Sequence, residues 1–296
     1  MDNYLLPEED GLAIRSYGAW TAEKLFYLSR YLRIFSTSMR DKPFRALHYI
    51  DLFAGSGKCR GGPGGPVLLG SPLLALTAPQ PFDKYLFIEQ DPESFAALRT
   101  RCQASPRQVH VSVLPGDANA LVHDIVQEIN SVDRRFREGS WSSLNLAFLD
   151  PEGPADLPWA TVEALAGINL MDLIIHYSEG GLNRLMSTCV GSTEENAVDR
   201  FFGTRQWRQV YEKPRHGHRS LLDLYKDGLT RLGYKQVRSV EEPLIRNKEK
   251  KAPLYRLIFA SKHERGNEFW HAVTSRDVYG QRRLLEQTCG YGTFVL

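Results

Sequence analysis

No run of the sequence stays apolar for the roughly 18–20 residues that a membrane-spanning helix needs, so no membrane association is expected. The opening residues, MDNYLLPEEDG, are acidic and lack the basic-then-apolar order of a secretory signal. A cytoplasmic location is the expectation. Cysteine is scarce and scattered: Cys59, Cys102, Cys189 and Cys289 stand far apart, with no CxxC or other metal spacing. A disulfide framework or structural zinc site is thereby disfavoured, and each is read as a reduced, mostly buried thiol. His216 and His218 have no third ligand nearby and read as surface residues, so no metal is expected. Internal repeats and long low-complexity tracts are absent as well.

What remains is an ordinary globular composition, 42% hydrophobic and 24% charged. The 296 residues suffice for a sizeable core, as one large domain or two small ones. Net charge is only +2, but it is unevenly placed: residues 200–265 hold 17 Lys+Arg against 7 Asp+Glu, which leaves 20 against 28 elsewhere. That asymmetry suits either a surface that faces a polyanion such as nucleic acid or a solvated basic face. Arg205, Arg208, Lys213, Arg215, Arg219 and the stretch Lys248–Lys251 are the candidates for phosphate contact.

Apolar periodicity sets the expected elements. Leu25, Leu28, Leu32 and Phe35 recur at helical spacing within Trp20–Met39, with Lys24, Arg30 and Arg33 off that stripe. From Leu47 to Ser178, strand-like runs (47–53, 84–90, 109–115, 144–150, 171–178) alternate with helical ones (71–77, 92–102, 118–130, 158–166). Ser71-Pro72 is read as an N-cap followed by a first-turn proline. Nearly continuous apolar strands separated by helices indicate a parallel sheet covered on both faces. Residues Glu179–Lys213 break the rhythm and read as an insertion. A helix over Ser220–Leu232 and two strands, Lys235–Glu241 and Pro253–Ala260, follow. Their connection, EEPLIRNKEKKAP, is too short for a crossover, so they should pair antiparallel. A sheet that closes this way is the ending of class I methyltransferases, and the expectation is a Rossmann-like, seven-stranded, mostly parallel α/β sheet. The boundaries read as an N-terminal helical segment (1–45), an α/β domain (46–262, with the insertion at about 179–215) and a C-terminal extension (263–296) that holds a helix near Asn267–Ser275.

The chemistry is expected at the strand tips, where open α/β sheets bind ligands. YIDLFAGSG places Asp51, Phe53, Gly55 and Gly57 at the end of the first strand. Glycines there permit unusual dihedrals and close approach of a ligand to backbone N–H groups. Asp51 can accept from the amides of that turn or reach a cationic ligand group. Two rival motifs fail on the residues: Gly57-Lys58 is followed by Cys59 and Leu52 stands at the first Walker glycine, while Arg60 occupies the third glycine of a dinucleotide fingerprint. Lys58–Gly70, KCRGGPGGPVLLG, is glycine-rich and reads as a mobile loop over the site.

Glu89 and Gln90 end the second strand. A carboxylate there can accept from both hydroxyls of an adenosine ribose, or act as a strand-end surface acid or helix cap. Asp91-Pro92 has the look of such a cap. Asp117 and Ala118 follow the third strand; Asp117 can accept from an adenine amine, cap the next helix, or do both. Asp150-Pro151-Glu152-Gly153 ends the fourth strand, where a methyl-accepting atom would lie. Asp150 is the first candidate to take the acceptor's proton, with Glu152 and His176 behind it. No aromatic follows Pro151, so Tyr177 is the candidate ring for stacking on a base. No Pro-Cys nucleophile for cytosine C5 chemistry is present at this turn.

The stretches WTAEKLFYLSRYL, YIDLFAGSG, GSPLLAL, FLDPEG, MDLIIHYSEGGLNR, FFGTRQW and LYRLIFASKHERGNEFW, in this order, resemble the three-Cys-motif partner protein family of bacteria and phages. The resemblance implies a class I methyltransferase-like fold with S-adenosylmethionine as cofactor. It also implies a two-protein system with a phage-type radical S-adenosylmethionine-like protein that carries three clustered cysteines, acting on nucleic acid. Asp51, Gly55, Gly57, Glu89 and Asp117 are the positions carried over to the donor site. The alternatives are a non-catalytic subunit that binds cofactor or nucleic acid, and a methyltransferase for protein or small molecules.

Overall fold

The computed structural model describes residues 3–18, 20–44, 46–62, 64–134, 142–212, 218–247 and 251–281. Lys213, Arg215, His216, Lys248, Lys250, Cys289 and the tail from 282 lie outside the described residues, as does the side chain of His218.

An N-terminal strand, β1 (Arg15–Tyr17), precedes α1 (Thr21–Met39), whose Leu25, Leu28, Leu32 and Phe35 are buried. The α/β core begins with β2 (Leu47–Asp51), buried along its whole length. Where a mobile loop was expected, β3 (Lys58–Gly61) and β4 (Val67–Leu69) pair antiparallel, and β1 adds to β3 in a small three-stranded sheet. α2 (Ser71–Leu76) follows; its N-cap is Gly70 rather than Ser71, which occupies the first helical position and donates from its hydroxyl to Asp51. β5 (Lys84–Glu89) leads into α3 (Pro92–Gln103), where Asp91 caps the helix by accepting from the Ser94 N–H at 2.8 Å. Then come β6 (Val111–Pro115), α4 (Ala118–Arg134), β7 (Leu144–Leu149), α5 (Trp159–Ala166) and β8 (Met171–Tyr177).

The expected insertion forms three helices over its described part: α6 (Glu179–Cys189), α7 (Ala197–Phe202) and α8 (Gln206–Tyr211). Asn196 starts α7 by accepting from the Val198 and Asp199 N–H groups, and Gly203 ends it at φ 64°, in the left-handed region that glycine adopts without strain. α9 (His218–Arg231), β9 (Leu244–Arg246), β10 (Pro253–Ala260) and α10 (Glu264–Thr274) complete the elements of the described residues. The strand expected at Lys235–Glu241 is instead a run of turns, with Gln236 at φ 60°. Leu-Ile-Arg, inside the stretch expected to be the connection, supplies β9 by pairing Ile245 with Tyr255.

The seven-stranded sheet has the order β6-β5-β2-β7-β8-β10-β9. Counted in chain order within that sheet, this is 3-2-1-4-5-7-6, with β10 antiparallel to both its neighbours. It is the Rossmann-like fold of class I methyltransferases, as the sequence led us to expect. Alternate residues of each strand feed two cores. Ile50, Ile88, Leu149, Ile175 and Tyr177 face one, covered by α4, α5, α7 and α9; Tyr49, Phe87, Phe148, Ile174 and Phe259 face the other, covered by α1, α2, α3 and α10. Each such side chain contributes about 1.5–3 kcal/mol by leaving water.

The segment ahead of α1 is locked onto this body by charge. Asp10, 1% exposed, accepts from Arg101 at 2.7 and 2.8 Å and from Lys58 at 2.8 Å. Burial alone would raise its pKa, but hydrogen bonds from Arg101, Lys58 and the Leu12 N–H outweigh it and hold the carboxyl well below its ordinary value. β1 is thereby positioned over the carboxyl ends of the parallel strands.

Candidate functional site

The turn after β2 is built for close approach. Gly55 (φ 63°) and Gly57 (φ 86°) both take left-handed backbone conformations. A Cβ on Gly57 would meet Leu98 Cδ1 at 3.0 Å, so that side chain would have to give way by a few tenths of an ångström. A Cβ on Gly55 would meet nothing within 4 Å; that position borders open space. Gly70 closes the turn from behind, donating to the Gly57 carbonyl at 2.7 Å.

Two hollows with shared walls lie at these strand tips. The larger, about 270 Å³, is lined by Phe53, Glu89, Gln90, Asp117 and Ala118, with Asp150 and Glu152 at its mouth. The smaller, about 40 Å³, is lined by Phe53, Gly55, Gly57, Lys24 and Asp150. Arg15, Tyr17, Phe53 and Asp150 border both. Seven of the eight expected cofactor positions are therefore brought to one cleft. The eighth, Asp51, is fully buried beneath the turn. It accepts from the Phe53 N–H at 3.3 Å and from Tyr49 Oη at 3.4 Å, and Ser71 donates to it as well. Burial, with the negative charge of Asp150 adding to it against the Ser71 hydrogen bond, pushes its pKa up to about 7. Asp51 therefore braces the turn from behind rather than lining the cleft.

Glu89, 6% exposed, accepts from the Asp91 N–H at 2.7 Å and lines the cleft. Asp117 caps α4 through the Asn119 N–H at 2.9 Å while lining the same space, so the two expected roles coexist. Asn119 in turn donates to the Asp156 carbonyl at 3.0 Å and accepts from Thr161, fixing the wall beside it.

At the mouth, Asp150 is paired with Lys24 of α1 and stands 3.5 Å from His176 Nδ1. Burial depresses the pKa of His176 to about 4, against a smaller opposing effect of Asp150, so the imidazole is neutral at pH 7. Its ring meets Tyr255 edge-on at 4.3 Å. Glu152 is 73% exposed and pairs with Arg15 at 2.7 Å. Tyr177 does not join the site: neighbouring strand residues point to opposite faces, and its ring is buried against Phe201 and Tyr225. No base could stack on it there.

The exposed ring at the cleft is Tyr17, at 39%. Tyr17, Arg15 and Lys24 are site residues that strand-tip reasoning missed. For Lys24 a signal existed. It lies one turn ahead of Leu28 and two ahead of Tyr31, hence on the buried stripe rather than off it, and its side chain is 12% exposed.

No family model and no curated protein matches the chain. Solved structures do. An O-methyltransferase from Bacillus cereus in complex with SAH is 11% identical over 88% of this chain and 96% of its own, with a TM-score of 0.40. TYW2 from P. horikoshii in complex with MeSAdo is 14% identical over 87% of this chain and 68% of its own, with a TM-score of 0.38. Cofactor-bound Rv0187 from MTB is 11% identical over 89% of this chain and 94% of its own, also at 0.38. The fold assignment rests on the strand order itself.

Proposed function

We propose that this protein binds S-adenosylmethionine in the strand-tip cleft and transfers its methyl group to an acceptor held at Asp150. The observation that carries this reading is the placement of Glu89 and Asp117 in one hollow that shares Phe53 as a wall with the hollow at the glycine turn. Glu89 suits the two ribose hydroxyls and Asp117 the adenine amine. The open space at Gly55 suits the amino-acid end. When bound, the cofactor supplies an activated methyl group on a sulfonium sulfur, so the protein needs no strong nucleophile of its own.

The residues at the mouth then have a limited task. An acceptor nitrogen becomes a strong acid once methylated, and a weakly basic carboxylate suffices to take its proton. Lys24 pairs with Asp150 and fixes its orientation at the mouth. Neutral His176 walls the other side without adding a competing positive charge. Tyr17 offers a ring at the mouth, the part expected of Tyr177.

Nucleic acid as acceptor draws on the cationic excess over 200–265. Within it, Arg205 and Arg208 pair with Asp199, Arg219, Lys226 and Arg256 with Glu242, and Arg238 with Asp227. Among the described residues, the exposed cations outside these ion pairs are Arg200, Arg231, Lys235, Arg246, Lys251 and Arg265, a narrower support than the charge count alone suggested. A second reading, a non-catalytic role, draws on the same contact: Lys24 occupies an oxygen of Asp150 that an acceptor would otherwise approach.

The test is transfer of a radiolabelled methyl group from S-adenosylmethionine to DNA and to RNA, with wild type and Asp150→Ala. Label in nucleic acid that disappears in Asp150→Ala, while S-adenosylhomocysteine binding persists, supports transfer. Binding without label under any condition supports the non-catalytic role.

A further inference from the structure

A second cavity, of about 260 Å³, opens at the other end of the sheet. Leu144 and Leu170 line it at the starting ends of β7 and β8, whereas Glu89 and Asp150 stand at the finishing ends of β5 and β7. At about 3.3 Å per residue, the six residues of β7 separate the two sites by roughly 20 Å. Phe35, Met39, Phe44 and Phe269 supply the remaining apolar wall. Voids of this size are few in a close-packed domain, and the volume falls just below the roughly 300–1,000 Å³ of ordinary small-molecule sites.

The polar groups are not scattered. Lys42, His263 and Arg265 are exposed at the rim, and all carry or accept positive charge. The one carboxylate in the lining is Asp172, 5% exposed, at the floor. It accepts from Tyr31 Oη at 3.2 Å and from Ser261. Gly266 leaves room for it: a Cβ there would meet Ser261 Oγ at 2.3 Å and Asp172 Oδ2 at 3.1 Å. Lys262 faces the cavity too, but its ammonium is committed to the Ala166 and Ile168 carbonyls.

We propose that this cavity is a second binding site, for a small amphipathic anion whose apolar body fills the space among Phe35, Met39 and Phe269 and whose charged group lies at the rim by Lys42 and Arg265. The direction of insertion follows from the charges: an anion pushed to the floor would meet Asp172, and a cation at the rim would meet Lys42 and Arg265. Burial pushes the Asp172 pKa up to about 7, against the hydrogen bonds from Ser261 and Tyr31, so above that pH the floor carries the negative charge that turns an anion toward the rim. The site is independent of the methyl-transfer reading.

The test is a fluorescence titration of the full chain with 8-anilino-1-naphthalenesulfonate, an aromatic body with one anionic group. One saturable site is expected, undisturbed by saturating S-adenosylhomocysteine. Affinity should fall about tenfold or more, or at least 1.4 kcal/mol, in the double variant Lys42→Glu/Arg265→Glu. The uncharged N-phenyl-1-naphthylamine should bind wild type and that variant alike. Met39→Trp, which fills the cavity, should abolish binding. The charge reversals lie at exposed positions and carry the test even where Met39→Trp fails to fold. Unsaturable binding, displacement by S-adenosylhomocysteine, or indifference to the charge reversal would overturn the proposal.

Discussion

The guanidinium of Arg15 stands 3.8 Å from the Glu89 carboxylate and 2.7 Å from that of Glu152, spanning the cleft from the acid proposed for the ribose to the mouth. A strand remote in sequence thus contributes the cation that neutralises two acids of the site. In the proposed complex the ribose hydroxyls compete with Arg15 for Glu89. The pair is long and its Arg15 end is partly solvated, so a contribution like that of solvent-screened pairs, about 0.2–1 kcal/mol, is expected. Arg15→Ala is therefore expected to tighten S-adenosylhomocysteine binding by about 1.4- to fivefold. Calorimetry at low and high salt checks this, since salt should narrow the difference. Weaker binding in the variant would mean that Arg15 holds the ligand rather than competing with it.

His176 should show no protonation above about pH 5. Its folded-state pKa lies below the ordinary value, so the unfolded chain binds the extra proton first, and the group opposes folding as pH falls from about 6.5 toward 4. Asp150→Asn should lower the titration further and Lys24→Met should raise it, because Asp150 favours the imidazolium and Lys24 disfavours it. NMR titration of the His176 ring reads both shifts. A midpoint near 6.5 in wild type would contradict the burial of the ring beside Tyr255.

Asp172 carries the opposite sign. Its folded pKa of about 7 exceeds the ordinary 3.8, so the contribution is present below pH 4 and is lost as pH rises through 7. Asp172→Asn keeps an acceptor for Tyr31 and Ser261 without a buried charge. The variant should melt higher than wild type at pH 8, with the gap closing toward pH 5. Thermal unfolding at both pH values decides it. A gap that widens on acidification would reverse the sign.

Asp10→Ala would leave Arg101 and Lys58 buried without their carboxylate. Breaking one side of a buried ion pair costs about 3–5 kcal/mol, and urea unfolding should show a loss of that order. In wild type this contribution is present above about pH 4 and is lost on further acidification, since the folded carboxyl titrates below the unfolded one. A loss under about 1 kcal/mol would indicate that water replaces the carboxylate.

Much of the site was legible because an alternating α/β pattern fixes which residues end the parallel strands. Asp51, Glu89, Asp117 and Asp150 could be placed at one edge from chain order alone. Their separate duties could not. Whether Asp51 lines the cleft or braces the turn depends on Ser71 and Tyr49 closing over it, and Tyr177 was lost to the core by the two-residue alternation of its strand. Arg15 and Tyr17 reach the cleft only because β1 pairs with β3 and Asp10 anchors the segment, long-range contacts that periodicity cannot encode. The last hairpin was read with the right pairing and the wrong strand. Val237 and Val240 gave Lys235–Glu241 an extended look, while the positive φ of Gln236 turns that stretch and leaves Ile245 to meet Tyr255.

The proposed cofactor site is tested most directly by calorimetry of S-adenosylhomocysteine with wild type and Glu89→Gln. Micromolar binding is expected in wild type. Replacing the carboxylate with an amide removes charged hydrogen bonds of about 1.5–3 kcal/mol, so affinity should drop roughly 10- to 100-fold with the melting temperature of the free variant little changed. No heat with wild type, or equal affinity in Glu89→Gln, would contradict the placement of the ribose at Glu89 and with it the proposed cofactor site.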